Sequence, residues 1–149
     1  MERVLVAAVL VVVAVIIAVV LQRRRPAPPS GSAWNIPVQL DRTDFNGPSS
    51  PWLVAVFTSA TCTACSDVSM KAQALASEVV MVQELEVSAE ADLHRRYGID
   101  AVPLVLIADS DGVVVRHFLG PVTATDLWAA VAEAREPGST PEGCHDHGN

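Results

Sequence analysis

The sequence is poor in positive charge and in cysteine. It has 10 lysines and arginines against 17 acidic residues, which gives a net charge of −7. A nucleic-acid-binding protein needs a basic surface to neutralise phosphates, so this balance argues against that class. Three cysteines are too few for a small domain held together by disulfides. Half of the residues are apolar, which excludes a wholly disordered chain.

One segment near the N-terminus contains no polar residue. Residues 4–21 consist only of Val, Ala, Leu and Ile, and a helix of this length would span about 27 Å, close to the hydrocarbon core of a bilayer. A cleaved signal peptide is the alternative, but the run is followed by Arg23–Arg25 and by no small-residue cleavage site. We therefore expect a single-pass transmembrane helix that anchors the chain in the lipid bilayer of the cell membrane.

The composition on either side of this segment gives the expected boundaries and orientation. Because basic residues tend to stay on the cytoplasmic side, Arg23–Arg25 favour a cytoplasmic domain, and an external domain is the open alternative. Residues 22–33, rich in Arg, Pro, Ser and Gly, have the composition of a linker. Residues 137–149 have the composition of a flexible tail. The folded domain is therefore expected at residues 34–136.

Short apolar runs and alternating patterns in this domain predict four strands. Continuous apolar runs are typical of strands buried on both faces, and alternation is typical of half-buried strands. The predicted strands are residues 52–57, 79–87, 104–108 and 113–118. The turn signal Asp111-Gly112 joins the last two. A further short strand is expected at residues 38–40.

Three helices are predicted between and after these strands. The first begins at Cys65, where apolar residues recur at three- and four-residue steps. The second follows Ser88, a residue type that caps helices, and its His94 is expected on a solvent-exposed face. The third follows Thr123-x-x-Asp126, which resembles a capping box. Strands that alternate with helices, followed by a hairpin and a closing helix, predict an α/β fold with a mixed central sheet and helices on both faces.

The sequence Cys62-Thr63-Ala64-Cys65 lies between a predicted strand and the first turn of a predicted helix. Unpaired N–H groups and the helix dipole at that position stabilise a thiolate, which favours Cys62 as a nucleophile. The pattern therefore indicates a redox pair in which Cys62 attacks a disulfide and Cys65 resolves the mixed disulfide. An inert structural disulfide and half of a zinc site are the alternatives, although a four-ligand zinc site would need a second pair of ligands.

With this context the chain resembles a thioredoxin-like domain over residues 38–135. The segments that carry the resemblance are Val54-Ala-Val-Phe57 running into the C-x-x-C, Tyr97-Gly-Ile-Asp-Ala-Val-Pro103, the Asp111-Gly112 hairpin, and Gly120 before the last helix. The second of these is similar to the thioredoxin segment that ends in a cis proline beside the active site. The pattern from Phe57 to Cys65 is more similar to that of membrane-tethered bacterial thioredoxin-like proteins.

The resemblance implies a thioredoxin-like fold and two further site residues. In that family the cis proline contacts the active-site sulfurs, and the backbone before it pairs with the substrate like an added strand. By resemblance, Pro103 takes the first role and Val102 the second. The chain departs from thioredoxins at Thr61 and Thr63-Ala64, where Trp and Gly-Pro are usual, and this leaves the redox potential open.

The resulting expectation is a membrane-anchored thiol–disulfide oxidoreductase that exchanges disulfides with protein thiols or disulfides and needs no cofactor or resident metal. A non-catalytic binding module that holds an extended segment beside Pro103 is one alternative. A copper or zinc carrier is the other, using the C-x-x-C together with Cys144-His145-Asp146-His147. The substrate, the electron donor, the direction of electron flow and the oligomeric state are not indicated by the sequence.

Overall fold

A computed structural model of the chain describes residues 34–139. In this range a 3₁₀ turn, Arg42–Asp44, precedes four strands and three helices. The strands are β1 (Trp52–Thr58), β2 (Val80–Glu86), β3 (Leu104–Ala108) and β4 (Val114–Leu119). The helices are α1 (Cys65–Gln73), α2 (Ala91–Arg96) and α3 (Ala124–Arg135). The four strands and three helices predicted from the apolar pattern are confirmed in their order.

The strands form one mixed sheet in the order β2-β1-β3-β4. β1 pairs in parallel with β2, from Trp52 opposite Val80 to Thr58 opposite Glu86. It pairs antiparallel with β3, which in turn pairs antiparallel with β4. The predicted mixed α/β sheet is therefore confirmed, and β1 lies in its interior.

The strand expected at residues 38–40 does not form. Only an isolated bridge, Gln39 with Val113, links this segment to the sheet. Pro37 has no N–H to donate to a longer ladder, and immediately after Leu40 the side chain of Asp41 accepts from the N–H of Thr43, 3.0 Å away. That contact turns the chain into the 3₁₀ turn and ends the pairing.

Helices cover both faces of the sheet, as predicted. Val54 and Val56 of β1 point to a core closed by α1 and α3, whereas Leu53, Ala55 and Phe57 point to a core on the opposite face, to which residues of α2 also pack. All five side chains are fully buried. Because successive residues of a strand face opposite sides, only a continuous apolar run can fill both cores.

One predicted helix cap is confirmed and one is wrong. Thr123 caps α3: its hydroxyl oxygen accepts from the N–H of Asp126, 3.1 Å away. Ser88 does not cap α2, whose N-cap is Glu90. Instead the N–H of Ser88 donates to the carboxylate of Glu86 at 2.8 Å. The glutamate holds the residues after β2 in a turn, so the helix begins two residues later.

Within residues 34–139, no helix is long and apolar enough to cross a bilayer. The predicted transmembrane helix at residues 4–21, the predicted linker at 22–33 and residues 140–149 of the predicted tail lie outside the described residues.

Candidate functional site

The two cysteines of the C-x-x-C are joined by a disulfide, with their Cα atoms 5.4 Å apart. Cys65 is the first residue of α1 and is 3% exposed, whereas Cys62 lies in the preceding loop and is half-buried. The N–H of Cys62 donates to the carbonyl of Ser59 at 3.0 Å, which folds the chain back after β1. An attacking thiol therefore has better access to Cys62 than to Cys65.

The start of α1 provides a favourable place for negative charge. Its N-cap is Ala64, and no side chain caps the helix there. The first-turn N–H groups and the helix dipole are therefore directed toward the loop that carries Cys62. Asp67 in the same first turn opposes this effect, but its carboxylate pairs with Lys71 at 2.6 Å. The arrangement can stabilise a thiolate on Cys62 when the disulfide is reduced.

Pro103 lies at the same end of the sheet as the disulfide. Leu104 pairs with Phe57 near the end of β1, so Pro103 lies beside the point where β1 leads into the cysteine loop. Pro103 is buried, and its carbonyl oxygen accepts a hydrogen bond from the N–H of Gly120 at 2.8 Å. The peptide bond between Val102 and Pro103 is cis, as the resemblance implied. The two cysteines and Pro103, named from the sequence, are thus brought to one end of the sheet.

Val102 is half-buried and lies just before β3 begins. Its backbone N–H and C=O make no hydrogen bond to any other residue in the range 34–139. Unpaired backbone groups beside a sheet can accept an additional extended segment. The role expected for Val102, pairing with a substrate backbone, therefore has free hydrogen-bonding groups available to it.

Glu86, the last residue of β2, was not predicted as part of the site. Its carboxylate accepts from the backbone N–H of Ala60 at 3.1 Å, of Ser88 at 2.8 Å and of Ala89 at 3.2 Å. These bonds, that from Ala60 above all, hold the pKa of Glu86 below its usual value. The carboxylate thereby ties the loop before Cys62 to the turn after β2.

A second carboxylate, that of Glu84, contacts the residues that flank the cysteine loop. The hydroxyl of Thr58 donates to its Oε1 at 3.0 Å and the hydroxyl of Ser69 to its Oε2 at 2.6 Å. Both hydroxyl residues are buried, although Glu84 itself is exposed. In the sequence, Glu84 and Glu86 alternate with Leu85 as the polar half of an ordinary strand does, so no local signal marks them.

His94 is a correction to the sequence analysis. It was expected on a solvent-exposed face but is 5% exposed. Its ring packs edge-on against Phe57, with centroids 5.1 Å apart, and its Nε2 lies 2.8 Å from the carbonyl oxygen of Leu85. Because that oxygen can only accept, Nε2 carries the proton. The ring can be buried because its edge packs against Phe57 and its N–H donates to the carbonyl of Leu85. The neighbouring Arg95 and Arg96 are exposed.

At the other end of β3, a buried arginine joins its own 3₁₀ turn to two loops, residues 45–51 and 109–113. Arg42 is 7% exposed and donates to the carbonyls of Asp109 at 2.7 Å, Ser50 at 2.9 Å and Gly47 at 3.2 Å. Burial lowers its pKa from the usual arginine value. Asp109 follows the last residue of β3, so this cluster lies away from the disulfide and has a structural role.

Among residues 34–139, no group of three or more His, Cys, Asp or Glu side chains converges as a metal site would require. The sequence Cys144-His145-Asp146-His147 lies outside the described residues. The alternative of a copper or zinc carrier therefore stays a prediction.

Comparison with known proteins identifies a shared fold and no family. No protein-family model matches the chain, and no curated protein matches it. Among solved structures, 270 chains match, which is the mark of a widely used architecture. One is a malarial protein, 17% identical, with a TM-score of 0.50; the match covers 56% of this chain and 97% of that one. At this identity the likeness shows a mixed α/β fold alone.

Proposed function

We propose that the described domain has a thioredoxin-like fold and that the protein is a membrane-anchored thiol–disulfide oxidoreductase. One observation carries the proposal: Cys62 and Cys65 form a disulfide at the start of α1, with Cys65 buried and Cys62 half-buried. A pair that differs in access in this way suits a nucleophile and a resolving thiol. The apolar residues 4–21 provide the proposed anchor.

In the reduced protein, the Cys62 thiolate attacks one sulfur of a disulfide in a partner protein. A bond forms between the two sulfurs, the partner disulfide breaks, and its second sulfur leaves as a thiolate that takes a proton. The Cys65 thiolate then attacks Cys62, which releases the other partner sulfur. Two electrons pass to the partner, and the Cys62–Cys65 disulfide remains. The same steps in reverse oxidise a partner dithiol, so the two sulfurs serve either direction of electron flow.

The proposed substrate class rests on the backbone of Val102 beside Pro103, at the same end of the sheet as the Cys62–Cys65 disulfide. The backbone N–H and C=O of Val102, which bond to no residue in the range 34–139, can provide hydrogen bonds for an extended segment laid beside Pro103, in the manner of an added strand. Because such bonds engage the partner's backbone, they require an extended peptide and no particular side chain. We propose protein disulfides or dithiols in extended segments as the substrates.

Reduction of a model protein disulfide by the full chain in detergent, with dithiothreitol as the electron source, tests the function. Cys62→Ser should abolish turnover, because no mixed disulfide can form. Cys65→Ser should instead accumulate a mixed disulfide that survives denaturation and is cleaved by reductant. Cys144→Ser, which removes the remaining cysteine of the chain, is the matched control and should keep full activity.

Turnover that persists in Cys62→Ser would refute the mechanism. The binding-module alternative makes a different prediction: a variant with both Cys62→Ser and Cys65→Ser would still bind the same extended peptide and would fulfil the biological role of the protein. Loss of that role in the double variant, with peptide binding retained, supports the oxidoreductase.

A further inference from the structure

The loop between α2 and β3 carries Val102 and Pro103 and has few hydrogen bonds of its own. The backbone N–H and C=O groups of residues 100–102 make no hydrogen bond to any residue in the range 34–139. At the β3 end, the carbonyl oxygen of Pro103 accepts from the N–H of Gly120 at 2.8 Å. The proposed function requires this loop to hold the backbone of a partner, and this inference rests on that function. The position of the loop therefore depends on what holds its other end, at Tyr97.

Tyr97, which ends α2, is bound through its side chain to a segment far away in the sequence. Its hydroxyl donates to the carboxylate of Asp44 and accepts from the backbone N–H of Asp41 at 3.0 Å. Its ring packs against the ring of Phe45, with centroids 5.8 Å apart. One half-buried side chain thus joins the start of the loop to three residues of the segment that precedes β1.

That segment, residues 35–45, is fixed to the core, and we call it the strap. Its Leu40 and Phe45 are 1% and 4% exposed. They belong to the same apolar core as Leu104 of β3, the residue that follows Pro103. Since the strap packs against the strand into which the loop leads, it provides a fixed support for Tyr97.

The other contacts between the strap and the end of α2 are weaker. The guanidinium of Arg96 lies 3.1 Å from the carboxylate of Asp44 and 3.3 Å from that of Asp41, but its side chain is 55% exposed. Exposed ion pairs of this kind contribute little. The side chain of Asp44 is only 15% exposed, so its hydrogen bond with the Tyr97 hydroxyl is the better shielded contact.

We propose that the Tyr97 hydroxyl, held by Asp41 and Asp44 of the strap, positions the loop of Val102 and Pro103 for the partner. A loop that is held at both ends loses less conformational entropy when a partner segment binds to it than a loop with one loose end. The hydroxyl therefore contributes to partner binding and not to the sulfur chemistry. Because Tyr97 acts through the loop, it is a positioning residue.

Rapid mixing of the reduced full chain with two different disulfides tests the proposal. The chain carries Cys144→Ser, is kept in nonionic detergent and is freed of reductant. One disulfide is a linear peptide of Gly, Ser and Thr, dimerised through a central cysteine, which offers a backbone to Val102. The other, hydroxyethyl disulfide, has no peptide backbone. Acid quenching and mass analysis give the rate at which the bond between Cys62 and Cys65 forms at each concentration.

Tyr97→Phe removes the hydroxyl and keeps the ring. The peptide concentration that gives half the maximal rate should rise about threefold, within the range for one hydrogen bond. The maximal rate, and the rate with hydroxyethyl disulfide, should stay unchanged. Asp44→Ala should give the same shift, and the double variant no larger one, because both changes remove one contact. Asp92→Ala is the matched control, since it removes an exposed aspartate that pairs with Arg95, and it should behave as wild type.

An unchanged half-saturating peptide concentration in Tyr97→Phe would overturn the positioning role. Equal slowing with both disulfides would also overturn it, since a partly unfolded domain slows both. A wild type that forms no bond between Cys62 and Cys65 with either disulfide would instead refute the oxidoreductase. Peptide binding still tests the positioning role in that case. A fluorescently labelled form of the linear peptide should bind a chain with Cys62→Ser and Cys65→Ser about three times more tightly than the same chain with Tyr97→Phe, and equal affinities would refute the role.

Discussion

Replacing Arg42 by alanine should destabilise the domain more than any change of an exposed arginine. Arg42 is 7% exposed, and its guanidinium donates to three backbone carbonyls, at 2.7, 2.9 and 3.2 Å. A hydrogen bond to a charged group contributes about 1.5–3 kcal/mol. The three bonds share one cation and water can reach some of the vacated carbonyls, so their contributions do not add fully. We expect a loss of about 3 kcal/mol in the free energy of unfolding.

Urea unfolding of the full chain in detergent, with the disulfide intact and tryptophan fluorescence as the signal, measures this loss. Arg95→Ala is the matched control because Arg95 pairs only with Asp92 on the surface, where its side chain is 76% exposed; its effect should be within about 0.5 kcal/mol. Arg42→Lys should fall between the two, since an ammonium keeps the charge without the planar fork of donors. If Arg42→Ala cost less than about 1 kcal/mol, the three carbonyl contacts would not be the source of stability that the distances indicate.

Three further predictions concern single groups. Burial, and then the hydrogen bond to Asp44, raise the pKa of Tyr97 to about 12. Because Tyr97 is the one tyrosine of the chain, ultraviolet titration should show phenolate forming at about pH 12 in the folded protein and at about pH 10 in urea. The stability that this group contributes is complete below pH ~10 and is lost as the pH rises toward about 12. A midpoint near pH ~10 in the folded protein would contradict the burial of Tyr97. The backbone N–H groups that bind Glu86 lower its pKa, so the stability that Glu86 contributes is present above the usual glutamate pKa and is lost as the pH falls through the lowered value. On acidification, the thermal unfolding midpoint should therefore fall less steeply in Glu86→Gln than in wild type or in the control Glu78→Gln. An equal dependence of the midpoint on pH in the three proteins would contradict this role of Glu86. Thr123→Ala should cost about 1 kcal/mol by removing the cap of α3, measured by urea unfolding against Thr125→Ala, an exposed threonine of the same helix.

The elements that the sequence predicts well are those with a local cause. The apolar run of β1 must be buried on both faces, and its predicted end lies one residue from the observed one. The Thr123 cap satisfies an N–H only three residues away. The pair Cys62 and Cys65 follows from its position between a strand and a helix, whereas the cis bond before Pro103 was expected from the resemblance to a known family alone.

The features that the sequence does not predict join backbone groups far apart in the chain. Glu86 binds the N–H of Ala60, 26 residues away, and Arg42 binds the carbonyl of Asp109, 67 residues away. Every residue except proline has an N–H and every residue a carbonyl, so such a partner leaves no mark in the sequence. The prediction of an exposed His94 is wrong for a related reason. The burial of His94 depends on its contacts with Phe57 and Leu85 of neighbouring strands and not on the arginines that follow it in the sequence.

The two glutamates of β2 have a joint consequence for the cysteine loop. Glu84 and Glu86 lie on the same side of β2, two residues apart, and they bind Thr58 and Ala60, which are also two residues apart. The Glu86 side chain thereby extends the link between β1 and β2 to Ala60, two residues past Thr58, the last paired residue of β1. Ala60, in the loop before Cys62, is therefore held by the Glu86 carboxylate, which accepts hydrogen bonds best when it is ionised. Acid should for this reason loosen the loop at Ala60 before it unfolds the apolar cores, so the Ala60 N–H should lose its protection from exchange with deuterated solvent at a higher pH than that at which the fold is lost.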